Sequence, residues 1–240
     1  MRRSAIAVAL LATWAALASA APPELGAFSL GGGKLPEGWD PLEFPKIPSH
    51  TRYEVVQNAG SWVVRADSRD AASGLIRSVD LDVHASPLLR WSWKVERVLE
   101  KTDITRKDGD DYAARVYVLF KYDPERVGFI RKSKYLLARA IYGDVPIAAL
   151  VYVWANKAER GRIFDNPYTG DFVKMVVVEN GSEHVGSWRS EQRDVLADYR
   201  TAFGEEPSRI EGVAIMTDTD DTGESAVAFY GDIALAPAAN

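Results

Sequence analysis

The chain has 240 residues, a formal net charge of −5, 47% hydrophobic and 26% charged residues, and no cysteine. That acidic balance argues against a nucleic-acid partner and against generic attraction to anionic lipid, and without cysteine there is neither a disulfide nor a thiol for acyl anchoring. Seven tryptophans and ten tyrosines bear more directly on function, because their flat faces serve both apolar cores and carbohydrate-stacking platforms.

Residues 1–20 read as a secretory signal peptide. Arg2 and Arg3 form a short basic region, Ile6 to Leu17 an apolar one, and Ala18-Ser19-Ala20 a cleavage site of the A-x-A kind. A periplasmic or secreted protein is expected, and loss of the two arginines takes the net charge from −5 to −7. No later run is long and apolar enough to predict a transmembrane segment. The remaining length, about 220 residues, suits a single large β domain.

Residues 21–48 are rich in Pro and Gly and read as an extended leader with one short strand near Phe28. The domain proper is expected over 49–240. Thr51 to Val56, Ser61 to Ala66 and Gly74 to Val83 are short β-like runs separated by turn signals, a spacing that predicts a sandwich or barrel. In Leu88 to Val95 the alternation places Trp91, Trp93 and Val95 on one face. Paired tryptophans at that spacing are read as core pillars rather than ligand platforms, because each buries a large apolar area.

The charged loop Glu96 to Asp110 leads into K-D-G-D-D-Y-A-A-R-V-Y-V-L-F, Lys107 to Phe120, a strand entered from an acidic turn. Ala114, Val116, Val118 and Phe120 share one face, and Asp111, Ala113, Arg115, Tyr117 and Leu119 the other. An arginine beside a tyrosine directly after two carboxylates points to a ligand-facing surface, with plain solvent exposure as the alternative.

From Pro124 to Pro146 the period becomes helical, with a basic amphipathic segment over 126–142. Its expected place is packed on the sandwich with its cations in water, while a membrane surface or a partner protein is the competing reading. Leu150 to Asn156 returns to strand, with Tyr152 and Trp154 on one face. Phe172 to Glu179 is a further strand, closed by the hairpin pair Asn180-Gly181. Asp194 to Phe203 reads as a helix with Asp194 as N-cap and Gly204 as stop, and Ile210 to Thr217 and Ser225 to Leu235 are the last strands.

Between those strands, D-T-D-D-T-G (Asp218 to Gly223) matches the start of an EF-hand loop, but Phe229 stands where the bidentate glutamate belongs, and strands flank the turn. An EF-hand is excluded. A looser calcium site using Asp218 and Asp220 stands beside the plain reading of an Asx-rich turn. Asp110, Asp111, Glu179, Asp218 and Asp220 are the carboxylates available for acid and base work, and His50, His84 and His184 have no metal-ligand spacing. No nucleophile elbow, P-loop or dinucleotide fingerprint occurs.

The set W-S-W-K-V (Trp91 to Val95), G-D-D-Y-A-A-R-V-Y-V (Gly109 to Val118), Y-V-W (Tyr152 to Trp154), D-Y-R-T-A-F-G (Asp198 to Gly204) and I-M-T-D-T-D-D-T-G (Ile215 to Gly223) resembles an uncharacterised family of exported bacterial proteins, a domain of unknown function. The resemblance implies an all-β, galactose-binding-like jelly-roll sandwich with one or two inserted helices, the architecture many carbohydrate-binding modules share. It supplies no catalytic residues, and because calcium in such modules is often structural, it adds only slightly to the calcium reading.

The function expected from these readings is non-catalytic glycan binding on a sheet face bearing Asp111, Arg115, Tyr117, Tyr152 and Trp154, with carbohydrate or another small polar ligand as partner. Two alternatives stand beside it. One is a carbohydrate-active hydrolase or lyase with Asp111 and Asp218 as acid and base, and the other an envelope scaffold that docks a protein through its basic helix.

Overall fold

A computed structural model describes residues 24–121 and 148–238. The expected signal peptide and the basic segment 126–142 lie outside the described residues. Thirteen strands are described: β1 (Glu24–Gly26), β2 (Trp39–Leu42), β3 (Arg52–Asn58), β4 (Ser61–Arg69), β5 (Ala72–Leu81), β6 (Leu88–Val95), β7 (Arg115–Phe120), β8 (Ala148–Ala155), β9 (Ile163–Asn166), β10 (Gly170–Asn180), β11 (Arg189–Asp194), β12 (Ile210–Asp218) and β13 (Ser225–Ala236). One helix, α1 (Val195–Phe203), accompanies them.

The strands form two sheets packed as a jelly-roll sandwich. The first runs β11-β6-β13-β4-β3, with β1 also paired to β13, and the second runs β2-β5-β12-β7-β8-β10-β9. Pairing is antiparallel among the described strands except between β8 and β10. A-A-L-V-Y-V-W-A is apolar throughout, and all eight residues of β8 are buried, as suits a strand covered on both faces.

The core is built where the two inner faces meet. Trp91 and Trp93 from β6 face Tyr152 and Trp154 from β8, with ring centroids 5.2 Å apart for Trp91 and Tyr152 and 5.8 Å for Trp93 and Trp154. Three of the four polar tips find partners, while Trp91 Nε1 is buried without one among the described residues. Trp93 Nε1 donates to Glu191 at 3.3 Å, Trp154 Nε1 to the Gly181 carbonyl at 3.2 Å, and the Tyr152 hydroxyl to Asp198 at 3.0 Å. The pillar reading of Trp91 and Trp93 is the one the fold adopts.

Two expectations need correction. Residues 24–48 are no detached leader: β1 joins the first sheet, β2 the second, and Phe28 and Trp39 pack at 5.3 Å inside the core. The segment at Phe28 is a 3-10 turn, and the strands lie on either side of it. Asn180-Gly181 does turn the chain, with Gly181 at φ +64°, but no hairpin follows. β10 belongs to the second sheet and β11 pairs with β6 in the first, so the loop between them crosses from one sheet to the other. The buried Glu179 spans that crossing through Arg189 at 2.8 Å.

Helix α1 follows its sequence signals. Asp194 accepts a hydrogen bond from Ala197 N at 2.9 Å, and Gly204 ends the helix at φ +70°. Asp198 anchors it by accepting from both Tyr152 and Arg193.

Candidate functional site

The loop from Val95 to Arg115 and the turn after β12 meet at one end of the sandwich. Arg115, the first residue of β7, sends Nε to Asp218 Oδ1 at 3.0 Å and Nη2 to Asp218 Oδ2, a bidentate pair. Nη2 also meets the Asp110 carbonyl, and Nη1 lies 3.6 Å from Asp110 Oδ1. Burial opposes the charge on Arg115, yet Asp218, then Tyr117 and Asp110, hold its pKa above the ordinary value. The guanidinium therefore remains a cation sealed inside the protein.

This geometry corrects the expected ligand face. Asp111, Tyr152, Trp154 and Arg115 are 0%, 0%, 2% and 3% exposed, and Tyr117 is half-buried. The reason is register. In the β7–β8 ladder Val116 sits opposite Tyr152 and Tyr117 opposite Val151, so Tyr152 and Trp154 share the inner face with Val116 while Arg115 and Tyr117 point the other way. The five residues do not converge on one accessible surface.

The acidic turn is likewise rearranged. Asp218 is consumed by Arg115 and is not available as a metal ligand beside Asp220. Asp111 instead accepts from Thr222 N at 2.6 Å and Asp221 N at 3.3 Å, so a carboxylate from another loop caps the turn. Ligand oxygens of Asp111, Asp220 and Asp221 lie within 4.8 Å of one another, a spacing one divalent cation can bridge. Burial, then the Asp111 and Asp221 carboxylates, push the Asp220 carboxyl up to about 6. Burial also raises Asp110 and Asp221, although the Tyr168 hydroxyl, 2.5 Å from Asp221 Oδ1, works in the opposite direction on Asp221.

The acid and base pair Asp111 and Asp218 is not supported. One is fully buried on backbone N–H groups and the other is locked to Arg115, so neither reaches a substrate. Glu179 is also buried, held by Arg189, by His184 at 3.1 Å and by Arg160 at 3.5 Å. His50 and His84 sit in separate surface pairs, with Glu43 and with Asp82 and Glu206.

On the other side of the loop lies a cavity of about 490 Å³ between residues 101–109 and the end of β8, walled by Phe164 of β9. Its loop wall is tightly folded. Asp103 Oδ1 accepts from Thr105 N at 3.0 Å and Thr105 Oγ1 at 2.7 Å, and Asp103 N donates to the Gly109 carbonyl at 3.0 Å. Gly109 is required there, since a Cβ would stand 2.6 Å from Asp103 N. In the sequence this loop shows only its charge. Tyr168, 47% exposed beside the acidic turn, has a local signal of its own: Asn-Pro-Tyr-Thr-Gly, which runs into the start of β10, is a turn signal that presents its aromatic residue to solvent.

A family model described as a protein of unknown function, DUF3047, matches residues 37–234. The chain belongs to the DUF3047 family. Among solved structures, this DUF3047 chain is similar to a mutant CBM29-2 carbohydrate-binding module of family 29, at 11% identity and a TM-score of 0.37 over 89% of this chain and 91% of that one. It is also similar to the CBM22-1-GH10 modules of Clostridium thermocellum endo-1,4-β-D-xylanase 10B complexed with xylohexaose, at 12% identity and a TM-score of 0.40, covering 90% of this chain and 29% of that one. An exo-β-agarase matches at 10% identity and a TM-score of 0.37, with 90% and 25% covered. No curated protein matches the chain in sequence.

Proposed function

We propose that this DUF3047 protein is an exported, periplasmic or secreted, non-catalytic glycan-binding protein whose ligand occupies the loop end of the sandwich. The observation that carries the reading is the cavity of about 490 Å³, within the size range of small-ligand sites and lined by hydrogen-bonding side chains around an aromatic wall. Sugars are held by packing their C–H faces on aromatic rings and by polar side chains on their hydroxyls, and this lining offers both. A calcium ion on Asp111, Asp220 and Asp221 is structural in this reading, since it would brace the acidic turn against the cavity loop. A glycan array on the mature chain, followed by product analysis of each hit, tests the proposal. Binding without cleavage is expected, and silence across the array overturns it in favour of a protein-docking scaffold.

One observation favours a second reading, a carbohydrate-active hydrolase or lyase. Asp220, half-buried with its carboxyl raised to about 6, has the protonation behaviour of a general acid near neutral pH. Cleavage of an array hit that is abolished by Asp220→Asn would establish that reading instead.

A further inference from the structure

Charge and shape in the cavity identify a narrower ligand class, an inference that rests on the glycan-binding reading above. Three cationic side chains line it, Lys101, Arg106 and Lys157, against two carboxylates, Asp103 and Asp108, so the cavity is locally positive in a chain of net charge −5. Both carboxylates are already engaged. Arg106 Nε donates to Asp108 Oδ1 at 2.9 Å, and Asp103 is occupied by Thr105. Among the described residues, two ammonium groups have no carboxylate as counter-ion. Lys101 Nζ donates to the neutral Thr222 carbonyl at 2.8 Å, and no carboxylate among the described residues pairs with Lys157, which is exposed at the cavity mouth.

The lining also has an apolar part. Phe164, with the Arg162 guanidinium 5.4 Å from its ring centroid, lines the cavity together with Ala155 and Ala158, which flank Lys157 along the chain. A ligand that satisfies this lining carries a carboxylate, a hydroxyl-bearing edge and a flat C–H face. We propose that the cavity binds an acidic saccharide, with a hexuronate carboxylate on Lys157 and Lys101 and its ring against Phe164. The folded loop at Asp103 to Gly109 favours such recognition because that part of the cavity wall is held in place before the ligand arrives.

The test uses the full chain in calorimetric titrations with a galacturonate trimer and with its fully methyl-esterified counterpart, which has the same rings without the charge. The acid should bind at least about tenfold more tightly than the ester, the size expected for one charge-assisted hydrogen bond, and added salt should narrow the gap. Lys157→Met should remove most of the preference while leaving the melting temperature unchanged, because Lys157 is exposed. Equal binding of acid and ester overturns the acidic-ligand assignment and leaves glycan binding standing. Binding of citrate as tightly as the trimer overturns the saccharide part. If both trimers fail while neutral glycans bind on the array, the assignment is wrong. Failure of every glycan sinks the underlying reading as well.

Discussion

Arg115 and Asp218 form a buried bidentate ion pair that ties the start of β7 to the end of β12, with Nε and Oδ1 3.0 Å apart and both side chains 4% exposed. The pair fixes the corner from which the acidic turn and the cavity loop depart. Removing one partner strands the other charge in a dry environment, a loss of about 3–5 kcal/mol. Arg115→Met or Asp218→Leu alone should therefore shift the urea midpoint strongly downward. The double variant should recover a large part of the loss, and a double-variant loss equal to the sum of the two single losses would show that the two side chains act independently.

The acidic turn makes stability depend on pH with a definite sign. The folded pKa of Asp220, about 6, lies above its unfolded value, so its contribution is fully present below the unfolded pKa and is lost as pH rises through about 6. At neutral pH Asp220→Asn should stabilise the cation-free protein by about 1 kcal/mol after allowing for solvent screening, and the gain should vanish in acid. Denaturation curves at the two pH values check it.

Calcium should reverse that result. If Asp111, Asp220 and Asp221 share an ion, added calcium raises the melting temperature of the native chain, EDTA lowers it again, and Asp220→Asn loses the response. A melting curve indifferent to both reagents would leave the turn held by Asp111 and backbone hydrogen bonds alone.

Trp154 is a core residue. Its ring packs on Trp93 at 5.8 Å and its Nε1 is bonded to Gly181, so Trp154→Ala should cost about 3–5 kcal/mol and alter the near-ultraviolet circular dichroism. A variant as stable as the parent but weakened in glycan binding would return Trp154 to the ligand surface.

Gly109→Ala probes the cavity loop. The added Cβ meets backbone at Asp103 N, which cannot give way as a flexible side chain would, so the loop must shift. The expected outcome is a loss of about 1–3 kcal/mol in stability together with weaker glycan binding by titration.

Local order was legible in the chain itself. Alternation identified the strands and correctly assigned Val116, Val118 and Phe120 to the core, paired tryptophans in β6 announced the pillars, and Asp194 and Gly204 bounded α1. These are properties of a few consecutive residues, governed by the pleat of a strand and the pitch of a helix. Which face of β8 met which face of β7 was a different matter, because alternation defines two faces without saying which turns inward when both are covered. The β7–β8 register decided it and buried Tyr152 and Trp154. The partner of Arg115 was equally beyond local reading: Asp218 lies 103 residues away, brought alongside by the β7–β12 ladder, while the neighbouring Asp111 turned to cap a distant loop. The cavity too exists only because residues 101–109, the end of β8 and Phe164 meet in space. Strand identity follows from local sterics and hydrophobic period, whereas the pairing of charges and the placement of concave surface depend on long-range register that only the assembled sheets fix.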